Sequence, residues 1–189
     1  GWAVAGRRFD LSGTPLGDEF LVDVGGNSED PSIDFDHNGN FSIAWHSSGR
    51  DEEFDGGHSI YLREYSEDGK EISPIALVPQ DLQGNQFRPT NLVLSDGASL
   101  ITWYSESSPV DGSSIRGRLF KAGEAISDEF HISTAQDRTY KQWRMGHASK
   151  NNFFISVWWD DGLEPRTLKR LLNPDPFYLA RVIDHEGNF

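Results

Sequence analysis

Cysteine is absent from the 189 residues, which removes disulfides and thiolate metal sites from consideration. No apolar run approaches ~18 residues, so no transmembrane helix is expected. Basic residues are scarce: 17 Lys and Arg stand against 30 Asp and Glu, a formal net charge of −13. An acidic surface repels phosphate, which argues against nucleic acid as a partner. The same balance suits solubility, a bound cation or a basic partner. Hydrophobic residues reach only 36%, little for one large core and suited to thin sheets with many solvated loops. No Gly-x-Ser-x-Gly, phosphate loop or dinucleotide fingerprint is present, and no His pair has a zinc-like spacing. The chain opens on Gly rather than Met and shows no signal peptide, so a processed, trimmed or excised chain is expected.

What is present is repetition. Aromatics make up 12%, and three of them close matching apolar runs. Phe41-Ser42-Ile43-Ala44-Trp45 recurs as Ser99-Leu100-Ile101-Thr102-Trp103 and as Phe154-Ile155-Ser156-Val157-Trp158, at Trp-to-Trp spacings of 58 and 55 residues. Short apolar runs bounded by polar turns read as buried β-strands. Three shorter strands precede each run, punctuated by turns such as Asp10-Leu11-Ser12-Gly13 and Asp36-His37-Asn38-Gly39-Asn40. Glycine offsets of 56, 54 and 64 along Gly13, Gly69, Gly123 and Gly187 track the repeat and expose an insertion in its last interval.

A four-stranded antiparallel unit at this period is the signature of a propeller blade. The expected fold is therefore all-β, a β-propeller-type array of about three four-stranded antiparallel blades plus one extra strand. The units fall at about 1–46, 58–104 and 113–159, with a partial unit at 177–189 and an insertion at 163–176. About 4–8 blades normally close a ring, so this count predicts a partial propeller. A second chain or a larger complex would then complete the array.

The motifs Arg8-Phe9-Asp10, Gly17-Asp18-Glu19-Phe20-Leu21-Val22, Pro31-Ser32-Ile33, Gly84-Asn85-Gln86, Asp96-Gly97 and Ile43-Ala44-Trp45 resemble a tandem repeat of large secreted, adhesin-like bacterial proteins. The resemblance covers nearly all of the chain outside about 163–176. It implies blade architecture and an extracellular, periplasmic or cell-surface setting. It transfers no catalytic residue. The third unit is degenerate, with Trp143-Arg144 where Pro-x-Val is expected.

Strand alternation sends the short turns to one end and the long connections to the other. Long loops on a rigid scaffold are where binding concentrates. That end is expected to carry Asp51, Glu52, Phe54, Tyr104, Asp111, Trp159, Asp160 and Asp161, with Phe87 nearby, as a cation or sugar site. Against this stands a plainer reading, acidic loops that are simply solvated. His46 and His58 flank one loop and could meet, with surface or packing roles favoured. Arg166 and Arg170, beside the apolar Leu168, Leu171 and Leu172, make the insertion either a docking helix for a partner or a lid on its own blade. Asp34, Asp36, Asn38 and Asn40 fit the first half of a calcium loop. The twelfth position is Trp45 rather than a bidentate Glu, and a plain hairpin turn explains the segment better. Calcium is the one cofactor suggested.

The favoured function is a non-catalytic binding or assembly module of an exported bacterial protein, contacting a protein or glycan partner. The alternative is a glycoside-acting propeller enzyme with carboxylates at the long-loop end. An enzyme predicts a deep pocket there with two facing carboxylates; a binding module predicts a shallow face, or a buried contact through an exposed edge or the insertion.

Overall fold

The computed structural model describes residues 1–23, 25–50, 57–94, 96–108, 112–133, 142–150, 153–160 and 177–184. The named elements among them are all β-strands, and every pairing is antiparallel. Strands β1 (Val4–Gly6) and β2 (Phe20–Asp23) form a two-stranded sheet. Strands β3 (Asn27–Phe35), β4 (Phe41–Ser48), β5 (His58–Tyr65) and β6 (Ala76–Leu77) form a four-stranded sheet in that order. Strands β7 (Asn85–Val93), β8 (Ser99–Ser108) and β9 (Gly112–Lys121) form the next. Its outer edge is shared by two short pieces, β10 (Glu124–Ala125) and β11 (Phe130–His131). Strands β12 (Gln142–Lys150), β13 (Phe153–Asp160) and β14 (Phe177–Asp184) form the last sheet. The chain is an all-β, propeller-type array. No helix among the described residues is long and apolar enough to cross a membrane.

The sheets are cut from the sequence repeat at a different phase from the sequence units. The two middle sheets each take the last two strands of one unit and the first two of the next, and the last sheet takes two and one. The Trp-closed strand β4 pairs forward across the long connection, from Phe41↔Tyr65 to Ser48↔His58. Strand β8 does the same with β9, from Ser99↔Phe120 to Ser105↔Ser114. The long loops therefore join strands within a sheet.

Stacking explains why these strands read as apolar runs rather than as alternating ones. Strand β4 is buried on both faces from Phe41 through Ser47. Phe41, Ile43 and Trp45 pack with Val4, Val22, Tyr61 and Tyr65 on one side. Ala44 packs with Ile60, Leu62, Ile101 and Trp103 on the other. Leu100 and Tyr104 of β8 face onward, into a third cluster with Ile115, Leu119 and Ile132. A strand covered on both faces has no solvent side on which to place polar residues.

Each buried indole needs an acceptor for its N–H. Trp45 Nε1 donates to Asp23 Oδ2 at 3.0 Å, and Trp103 Nε1 donates to Gln86 Oε1 at 2.9 Å. Asp23 is itself buried and also accepts from Ser28 Oγ at 2.6 Å, from the Gly25 N–H at 3.0 Å and from Arg50. Burial alone would raise its pKa, but the hydrogen bonds from Ser28, Gly25 and Arg50 outweigh it and hold the carboxyl below its ordinary value.

The innermost strands β3, β7 and β12 lie side by side. Strand β7 is an edge strand of its sheet, and side chains from β3 satisfy its free N–H groups. The Asn91 N–H donates to Ser32 Oγ at 3.0 Å, and the Val93 N–H donates to Asp34 Oδ2 at 2.8 Å.

Candidate functional site

The three innermost strands share one irregularity. Register shifts fall between Glu29 and Ser32 in β3, Phe87 and Thr90 in β7, and Trp143 and Met145 in β12. At the first two, Asp30 and Arg88 take left-handed backbones, φ 49° and 51°. Proline follows each, and Pro cannot donate to a ladder, so the pairing breaks there. A non-Gly residue in this region costs about 1–2 kcal/mol, and such residues gather at functional sites.

Between the second and third sheets, the two bulges open onto a pocket of ≈ 360 Å³. Glu29 and Asp30 come from β3, His46 from β4, His58 from β5, Phe87 and Arg88 from β7, and Tyr104 and Glu106 from β8. The pocket lies where the Trp-closed strands run out, at the end expected to carry the long loops. Asp30 Oδ2 is central to it, 3.8 Å from Arg88 Nε and 3.8 Å from His46 Nδ1.

Aromatic rings form its wall. The imidazoles of His46 and His58 have centroids 5.3 Å apart. His46 meets Phe87 edge-on at 5.5 Å, His58 lies 4.7 Å from Phe87, and Phe87 stacks on Tyr104 at 6.3 Å. The His58 N–H donates to Asn85 Oδ1 at 3.1 Å, which ties the start of β5 to the start of β7. His46 is 4% exposed, and burial lowers its pKa. Asp30 and Glu29 raise it in part, while His58 and Arg88 lower it further. The Nδ1 atoms of His46 and His58 are buried without a hydrogen-bond partner. Among the described residues, Glu29 and Glu106 form no ion pair.

Of the residues expected from sequence, Tyr104 lies in this pocket. Asp51, Glu52, Phe54, Asp111, Asp161, Arg166 and Arg170 lie outside the described residues. Trp159 and Asp160 end β13, in register with Trp143 and Gln142 on one side and with Tyr178 and Phe177 on the other. His46 and His58 do meet. Glu29, Asp30, Arg88 and Glu106 were not singled out by the sequence. The available signal was the 58-residue offset from Asp30 to Arg88, equal to that from Trp45 to Trp103.

The calcium-like segment sits at the opposite end. Asp36 Oδ1 accepts the N–H groups of Asn38 and Asn40 at 2.8 and 2.9 Å, and its Oδ2 accepts Asn40 Nδ2 at 2.9 Å. Asp34 is engaged with Val93 on the neighbouring sheet. Among the described residues, no group of three or more His, Asp or Glu is arranged to hold a metal. A second cavity of ≈ 220 Å³ lies at this end, and the buried Glu64 lines it. Burial raises the Glu64 pKa, and the Gly123 N–H and the Ser99 hydroxyl lower it only in part.

No protein-family model matches the sequence, and no curated protein is similar to it in sequence. Solved structures do resemble it in fold. An endo-arabinase from Bacteroides thetaiotaomicron superposes with a TM-score of 0.54 at 14% identity, over 93% of this chain and 63% of that one. A mutant levansucrase from B. megaterium gives 0.54 at 11% identity, over 97% and 57%. The chain thus spans less than two thirds of either enzyme. These findings correct the favoured sequence reading of a non-catalytic binding or assembly module. The resembling structures are an endo-arabinase and a levansucrase, and the long-loop end holds an open pocket lined by three exposed carboxylates.

Proposed function

We propose that this chain is propeller scaffold of an enzyme acting on glycosidic bonds, with its chemistry in the pocket between the second and third sheets. The observation that carries the reading is the convergence of Glu29, Asp30 and Glu106 on one aromatic-walled pocket. Breaking a glycosidic bond takes two carboxyl groups. One protonates the departing oxygen; the other attacks the anomeric carbon or activates a water, according to a separation of about 5–10 Å. Asp30, held on a bulge, is the candidate for the attacking or water-activating carboxylate. Glu106, from the facing sheet, is the candidate for the second carboxyl group of the pair. The half-buried Phe87 supplies an apolar surface against which a sugar ring can lie, backed by Tyr104. The fold likeness to an endo-arabinase and a levansucrase supports this reading. The exported bacterial setting suggested by the repeat motifs belongs to the same proposal, with a glycan as the partner.

Incubation of the purified chain with arabinan, levan, sucrose and a panel of aryl glycosides tests it. The expected outcome is release of sugar, reduced about 10²–10⁴-fold by Asp30→Asn and by Glu106→Gln. Failure to cleave any member of the panel, or full activity in both variants, would overturn the assignment.

A further inference from the structure

We infer that the pocket is built for a sugar bearing a free amino group, an unacetylated hexosamine, in preference to a neutral sugar or a uronate. The inference rests on the glycoside reading of the same pocket and narrows its substrate class.

Charge comes first. Among the described residues, Arg88 is the cation lining the pocket, and it faces Asp30 at 3.8 Å. That pair cancels and leaves Glu29 and Glu106, neither of them in an ion pair among the described residues. The buried imidazole of His46 does not offset them, because burial disfavours its charged form. Among the described residues the lining carries three carboxylates against one guanidinium, a balance that attracts a cation and repels a carboxylate ligand.

Hydrogen bonding points the same way. His46 is more than nine-tenths buried and lines the pocket, and its Nδ1 makes no hydrogen bond although Asp30 Oδ2 lies 3.8 Å away; Nδ1 of His58 likewise makes none. An unprotonated imidazole nitrogen accepts a hydrogen bond. An ammonium group brings three donors and no acceptor, so it can serve such a nitrogen and a carboxylate together. A sugar hydroxyl could reach the imidazole but would leave the charge balance unchanged. The half-buried ring of Phe87 adds an attraction for cations that it does not offer to anions.

The test compares binding of glucosamine, glucose, N-acetylglucosamine and glucuronate to the intact chain by calorimetry, at a pH where the free amine is charged. Glucosamine is expected to bind at least about tenfold tighter than glucose or N-acetylglucosamine, with glucuronate weakest. The preference should shrink as salt is raised, and in Glu29→Gln and Glu106→Gln. The comparison among sugars needs no variant and so survives any folding defect. Equal affinity for glucosamine and glucose, or tighter binding of glucuronate, overturns the inference. Turnover of neutral glycosides without an amine preference also overturns it while leaving the glycoside reading intact. Amine-selective binding with no turnover of any glycoside supports it and removes the glycoside reading instead.

Discussion

Asp30 and Arg88 face each other at 3.8 Å from two neighbouring sheets, and both hold left-handed backbones. The pair joins strain to charge at one place, and the two can be separated by substitution.

Glycine adopts this backbone without a Cβ penalty. Arg88→Gly is expected to hold or raise stability by about 1 kcal/mol while tightening binding of a cationic sugar, because the positive partner of Asp30 is gone. Arg88→Val, branched at Cβ, should lose at least as much. Urea denaturation of the three proteins, read beside glucosamine affinity, checks both directions; a stable Arg88→Gly with unchanged affinity would show that the side chain has no part in the pocket.

The two indole N–H bonds predict unequal costs. Trp45→Phe leaves Asp23 with its bonds from Ser28, Gly25 and Arg50. Trp103→Phe orphans the buried Oε1 of Gln86, for which Trp103 is the donor. Beyond the lost ring volume, Trp103→Phe should therefore cost about 1–3 kcal/mol more than Trp45→Phe. Denaturation midpoints at matched slopes give the comparison, and equal losses would contradict it.

Glu64 is a buried carboxyl whose pKa is raised above 4.5, chiefly by desolvation. Its favourable contribution is whole below that ordinary value and is lost as pH rises through the raised folded value. Glu64→Gln removes the ionisation. It is expected to stabilise the chain at neutral pH by on the order of 1 kcal/mol and to flatten the stability profile on the acid side of neutrality. A variant less stable than wild type at neutral pH would show that the carboxylate is satisfied in a way its few partners do not suggest.

His46 has the opposite sign. Its folded pKa lies below 6.5, with desolvation as the leading cause. Stability from keeping it neutral is full above that value and is lost as pH falls through the window beneath it. Imidazole NMR titration should find His46 protonating at lower pH than 6.5. In Glu29→Gln its pKa should fall further, because a neighbouring negative charge is gone.

The array was legible in the sequence because burial on both faces writes itself into composition. Phe41 through Trp45 had to be apolar or small at every position, and its copies at 58 and 55 residues gave the period. The phase was not legible. Nothing local distinguishes Phe41 pairing with Tyr65 from a sheet closed within one sequence unit, since that choice is made by contacts between units. The end that carries the pocket was legible from loop lengths, and Tyr104 with it. Asp30 and Arg88 escaped because a one-residue bulge leaves no compositional mark; a charged residue before proline reads as ordinary loop. His46 and His58 were visible as neighbours of one loop, but only the β4–β5 pairing brings their rings together.

The recurring bulge is modular. In three of the four sheets one residue, Asp30, Arg88 and then Arg144, stands at the same register position of the bulge. The backbone kink is set by the broken ladder rather than by the side chain at that position. Acid, base and base are thus three letters at three equivalent positions, each replaceable while the Trp-centred layers beneath stay untouched. A chain organised in this way can vary the residue at the bulge one sheet at a time, by point substitution, without renegotiating its fold.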